Sequence, residues 1–74
     1  MTTLVPNGQP EVYVGRRVNP PGTVEWWATV NQEFTNGDFA REVSPFYDSE
    51  ETAHRQGTLM KQHMLDLYHQ EESQ

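Results

Sequence analysis

The side chains able to do chemistry are few in this chain, and their spacing argues against most of what they could do. His54, His63 and His69 are the imidazoles, and no two of them stand three or four residues apart, the separation that sets two metal ligands on one helical face. Asp66 lies three residues from both His63 and His69, so a histidine–carboxylate contact on a helix surface is sterically open. Ligands drawn from a single helix make a poor cage, and the expected role of this group is a surface ion pair. A helix-borne metal enzyme built on His63, Asp66 and His69 is the reading that zinc-dependent stabilisation would support. With no cysteine, the chain has neither disulfides nor thiolate metal sites.

Nucleophilic catalysis needs a hydroxyl or thiol activated by a base that is itself oriented. No serine here stands in a strained elbow or beside a histidine pattern. The paired carboxylates Glu50-Glu51 and Glu71-Glu72 are adjacent in sequence and fall at the ends of a helical segment, where they cap or solubilise. Gly8, Gly15, Gly22 and Gly37 each fall at separate turns or strands, without the spacing that cradles phosphate. The chain is therefore expected to be no enzyme and to carry no cofactor or metal.

Function must then reside in a surface, which depends on the elements. Residues 1–10 contain Pro6, Asn7, Gly8 and Pro10, which break regular structure and predict a flexible N-terminal arm. Val12, Val14 and Val18 share one parity of a strand, with Arg16 interrupting them, while Tyr13, Gly15 and Arg17 share the other. Gly15 marks either a bulge or a close backbone approach. Asn19-Pro20-Pro21-Gly22 reverses the chain, with Pro21 and Gly22 suited to the centre of a type II turn. The segment Thr23 to Phe34 alternates clearly, with Val24, Trp26, Ala28, Val30 and Phe34 on the core face and Glu25, Trp27, Thr29, Asn31 and Glu33 on the other. Asn36-Gly37 suits a type I′ hairpin turn, after which Phe39 to Val43 returns antiparallel, with Ala40 and Glu42 expected beside Trp27 on the second face.

Ser44-Pro45 stops the third strand, and Asp48, three residues before Glu51, is the expected helix cap. Ala53, Gly57, Met60, Met64, Leu67 and Tyr68 recur at helical spacing and form one stripe, flanked by Leu59 and Leu65. Gly57 costs about 1 kcal/mol in a helix relative to alanine, which predicts a bulky neighbour, with Trp26 the candidate. The order predicts an α+β fold of two layers, a three-stranded antiparallel meander packed on one C-terminal helix (β-β-β-α), with one domain over 11–70 and a frayed tail over 71–74. One helix covers one face of such a sheet, so the other face must meet water, a ligand or another chain.

At 74 residues the chain is near the lower end of what folds unaided, burying roughly 60% of its unfolded surface. Without disulfides, good packing or self-association must supply the stability, and a homodimer is one way to do so. The net charge is −6, divided as −2 over residues 1–47 and −4 over residues 48–74. That balance opposes attachment to phosphate backbones and anionic membranes. No signal-like start and no bilayer-length apolar run is present, and together with the absence of cysteine this favours a soluble, cytoplasmic protein.

Tyr13, Arg17 and Trp27 are the expected partner-binding residues, because aromatic anchors and a guanidinium fork are the types that dominate protein interfaces. The stretches Tyr13-Val14-Gly15-Arg16-Arg17, Trp27-Ala28-Thr29-Val30 and Phe46-Tyr47-Asp48-Ser49-Glu50-Glu51-Thr52-Ala53 also resemble the plant ethylene-response-factor DNA-binding domain and the recombinase arm-binding domains of similar shape. The resemblance spans most of residues 13–60 and implies a three-stranded sheet on one helix whose free face enters a DNA groove. Carried over by position, it implies nucleic-acid contacts from Arg16, Arg17, Trp27 and Arg41. DNA affinity draws on several cationic contacts to phosphate, and Glu25, Glu33 and Glu42 are expected on the same face, so a protein partner, or a second copy, ranks above nucleic acid.

Overall fold

β-branched and aromatic residues alternating with polar ones favour a pleated, half-buried strand, and proline and glycine punctuate where strands must end. In the computed structural model, which describes residues 4–69, the chain forms β1 (Glu11–Asn19), β2 (Thr23–Glu33), β3 (Phe39–Val43) and α1 (Glu50–Tyr68). The sheet order is β1-β2-β3 with both pairs antiparallel, followed by the helix. This is the expected β-β-β-α arrangement. The expected tail, 71–74, and the first three residues of the expected arm lie outside the described residues.

Register sorts the side chains into two faces. Val12 opposes Val30, Val14 opposes Ala28 and Arg16 opposes Trp26 on the helix side. Tyr13 opposes Thr29, Gly15 opposes Trp27 and Arg17 opposes Glu25 on the open side. Ala28, Val30, Phe34, Ala53 and Met64 are buried and form the core between sheet and helix. Phe34 and Tyr68 meet edge to face, with ring centroids 5.1 Å apart. Leu67, expected in the buried stripe, is instead exposed, and Tyr68 makes the contact at that end of the helix.

Gln32 is fully buried on the same side, which requires its amide to be satisfied. Its Nε2 donates to the carbonyls of Gly8 (3.1 Å) and Glu33 (2.7 Å), and its Oε1 lies 3.0 Å from His69 Nε2. Because the two carbonyls fix the direction of the amide, the remaining Oε1 can only accept, and the His69 ring nitrogen donates. The bond to Gly8 also helps anchor residues 4–10. Asn7 N–H donates to Glu33 C=O and Thr35 N–H to Val5 C=O, and Pro10 is buried. The described part of the expected flexible arm is thus paired along the end of β2.

Several local expectations are corrected. The helix cap is Ser49, whose Oγ accepts Thr52 N–H at 3.2 Å, because Ser49 holds an extended backbone and the helix begins one residue later than an Asp48 cap would allow. The first turn is closed by Gly22 N–H to Asn19 C=O at 2.7 Å, with a cis Pro20–Pro21 peptide in place of a type II turn. At the second hairpin only Gly37 takes a positive φ (+95°); its N–H donates to Phe34 C=O, and Phe34 N–H donates to Asp38 C=O. This loop is longer than the type I′ loop expected at Asn36-Gly37, so Glu33 pairs with Phe39 and not with Ala40. A one-residue slip moves every side chain to the other face. Ala40 and Glu42 therefore lie on the helix side, while Phe39, Arg41 and Val43 join the open face.

Gly57 is explained by different neighbours from the one expected. A Cβ at Gly57 would come 2.7 Å from Val12 Cγ1 and 3.1 Å from Ala28 Cβ, so helix and sheet approach closely over these two residues and not over Trp26. The register runs unbroken through Gly15, which rules out a bulge there.

Candidate functional site: the open sheet face

The face away from the helix is organised around Trp27. Its indole lies against the backbone of Gly15 across the β1–β2 pair, and a Cβ built on Gly15 would overlap Trp27 Cζ2. Glycine is required here by the close approach of a ring, the second of the two roles expected for it. The indole and the Phe46 ring meet in a T-shaped pair, with centroids 5.6 Å apart and planes at 78°. Phe46 in turn lies under the Arg17 guanidinium, with Cζ 4.1 Å from the ring centroid. Arg17 Nη2 donates to Glu25 Oε1 at 3.1 Å, and Glu25 also accepts from Asn19 Nδ2. One connected chain of contacts, Gly15–Trp27–Phe46–Arg17–Glu25, thus holds the indole and the guanidinium in fixed positions.

The loop between β3 and α1 makes this contact chain. Ser44 closes the ladder just before Pro45: its N–H donates to Ala28 C=O, and its Oγ accepts Ala28 N–H at 2.8 Å in the place a strand carbonyl would take. Trp26 and Tyr47 then exchange both backbone bonds at 2.7 Å, returning the chain to the edge of β2. The irregular step between Ser44 and Tyr47 delivers Phe46 onto the open face beside Trp27.

Tyr13 stands 55% exposed next to this cluster, and its hydroxyl donates to Glu11 Oε2. The bond to the carboxylate, and then its charge, raise the Tyr13 pKa above the ordinary value of 10.0. Phe39 and Val43 are also more than half exposed, and Arg41 lies over the Phe39 ring with Cζ 5.3 Å from its centroid. Asn31, the register neighbour of Glu11 and Arg41, holds its Oδ1 shielded from solvent without a hydrogen-bond partner among the described residues. Beside it, a concavity of about 290 Å³ is lined by Asn31, Glu33, Phe39 and Arg41 among others.

The expected partner residues Tyr13, Arg17 and Trp27 therefore share one face. The set carried over from the resemblance is divided. Arg16 lies on the helix side, with Cζ 5.8 Å from the Trp26 ring centroid, and Arg41 opposes Asn31 while Arg17 opposes Glu25. At the strand rise, those two β2 positions are about 20 Å apart. Phe46, Phe39 and Val43 belong to the face but were not among the expected site residues: Phe46 depends on how an irregular loop is aimed, and the other two on the length of a hairpin. Of the helix polar residues, Asp66 accepts from Gln62 Nε2 at 3.1 Å, and His69 is engaged by Gln32. Among the described residues no three metal-ligating side chains come together, and no helix is long and apolar enough to cross a membrane. Comparison with known proteins yields no matching family model, no matching curated protein and no matching solved structure.

Proposed function

We propose that this chain is a non-catalytic interaction module that docks a protein partner on the open face of its sheet, with Trp27 and Phe46 as anchors and Arg17 and Tyr13 beside them. The observation that carries the reading is the immobilised indole. Trp27 is held by Gly15 on one side and Phe46 on another while the face around it has no covering element among the described residues. An aromatic ring already fixed in place loses little further freedom on binding, which is the condition that favours an interface anchor. Arg17, oriented by Glu25 and Phe46, offers its remaining donors to a carboxylate or carbonyl. Nucleic-acid binding ranks second, because Arg17 is already paired with Glu25 and Arg16 lies on the opposite face.

Affinity capture of partners by the wild type, Trp27→Ala, Arg17→Ala and the helix-surface control Leu59→Ala tests this. A protein retained by the wild type and the control, and lost by both sheet-face variants, is the expected result. Equal recovery by all four proteins would refute the assignment. Retention that collapses with rising salt and is abolished by nuclease would establish the nucleic-acid reading in its place.

A further inference from the structure

Among the described residues, the outer edge of β1 is a long stretch of backbone that the fold leaves open. In β2, Trp26 exchanges both of its backbone bonds with Tyr47, and Ala28 bonds through N–H and C=O to Ser44, so the even-numbered residues of β2 point toward β3. Alternation along an antiparallel strand then directs the odd-numbered residues of β2 toward β1. The register pairs these with Glu11, Tyr13, Gly15 and Arg17, leaving the N–H and C=O groups of Val12, Val14, Arg16 and Val18 pointing outward. Among the described residues nothing hydrogen-bonds to them. The opposite edge is managed differently: β3 has five residues and runs into the Ser44-Pro45 step, whereas β1 has nine and no internal proline. Short edges and prolines are the usual protection against strand addition, and β1 lacks both.

We propose that β1 pairs antiparallel with β1 of a second copy across a two-fold axis at Val14, joining two sheets into one of six strands. This site is the backbone edge of β1 and not the docking face proposed above, although Tyr13 and Arg17 border both, and Trp27→Ala and Arg16→Pro separate the two. In that register Val14 opposes its own copy and Val12 opposes Arg16, and all of these residues have outward-pointing backbone groups, as hydrogen-bonded pairs require. On the open face Glu11 then opposes Arg17 of the second copy, twice by symmetry, so the sequence of the strand is complementary to its own reverse. Tyr13 comes opposite Gly15 of the second copy, whose open face is covered by the Trp27 indole, so the phenol ring and the indole would meet across the seam. Helices seated over β1 and β2 of each copy would lie about 10 Å or more apart across the new seam, a distance at which helices pack without clash.

Sedimentation velocity of the full chain over a concentration series tests the pairing. The wild type is expected to shift from monomer to dimer as concentration rises. Glu11→Lys and Arg17→Glu should each sediment as monomers, since each sets like charges opposite one another at both ends of the seam. Their equimolar mixture should recover the dimer, because lysine then meets glutamate at one end and arginine meets glutamate at the other. Arg16→Pro, which removes an outward donor and leaves the β1–β2 bonds intact, should be monomeric with the circular dichroism of a folded chain, while Trp27→Ala should still dimerise. A wild type that is monomeric throughout overturns the proposal. So does a dimer indifferent to the charge variants, or one lost in Trp27→Ala and kept in Arg16→Pro, which would place self-association on the open face.

Discussion

Replacing Gly57 with alanine opposes two effects whose sizes the structure ranks. Alanine in a helix interior is favoured over glycine by about 1 kcal/mol, so on propensity alone Gly57→Ala should stabilise. The added Cβ, however, would lie 2.7 Å from Val12 Cγ1, inside any ordinary carbon–carbon contact, and 3.1 Å from the Cβ of fully buried Ala28. Val12 is β-branched and restricted at χ1, and Ala28 can move only with its backbone, so relief requires the helix and sheet to separate. Overpacking of this kind costs roughly 1–3 kcal/mol, which leaves a net destabilisation of up to about 2 kcal/mol. For a domain of this size, 1 kcal/mol corresponds to roughly 4–8 °C in Tm. Thermal and urea unfolding followed by far-UV circular dichroism would measure it. Val12→Ala in the Gly57→Ala background should recover part of the loss relative to the same change in the wild type, a coupling of about 0.5 kcal/mol or more. A Gly57→Ala protein more stable than the wild type, or strict additivity with Val12→Ala, would refute the close packing of helix on sheet at this point.

Three further outcomes are expected. Gln32→Leu leaves the carbonyl of Gly8 and the His69 ring without the partner that Gln32 supplies, and should lower stability in urea by about 2–3 kcal/mol. Ser49→Ala should cost about 1 kcal/mol by removing the acceptor for Thr52 N–H, while Asp48→Ala should cost less, a contrast that the two unfolding midpoints would reveal. The Tyr13 phenol should titrate above the ordinary tyrosine range in near-ultraviolet absorbance, and Glu11→Gln should bring it back toward 10.0. Because the folded-state pKa is raised, any stability from the Tyr13–Glu11 contact is present below the unfolded tyrosine pKa and is lost as pH rises through the folded value.

What the sequence by itself determined is the kind and order of the elements. Parity of apolar residues over 12–18 and 24–34, the Pro-Gly and Asn-Gly reversals and the helical spacing from Ala53 to Tyr68 are local signals, and local geometry suffices to read them. It also sufficed to set Tyr13, Arg17 and Trp27 on one face, since apolar parity within each strand assigns them to the side away from the core, even though the turn joining the strands differs from the one expected. Tertiary structure decided the third strand: one additional loop residue before β3 exchanged Ala40 and Glu42 for Phe39, Arg41 and Val43 on the open face, a choice that depends on the backbone conformation of Asn36. Tertiary structure also decided the burial of Gln32, because residues distant in sequence, Gly8 and His69, supply its partners. Phe46 beside Trp27 and the indole against Gly15 are likewise contacts between separate elements. Periodicity records which way a side chain points along its own strand, whereas the ring that meets it is set by how the elements pack.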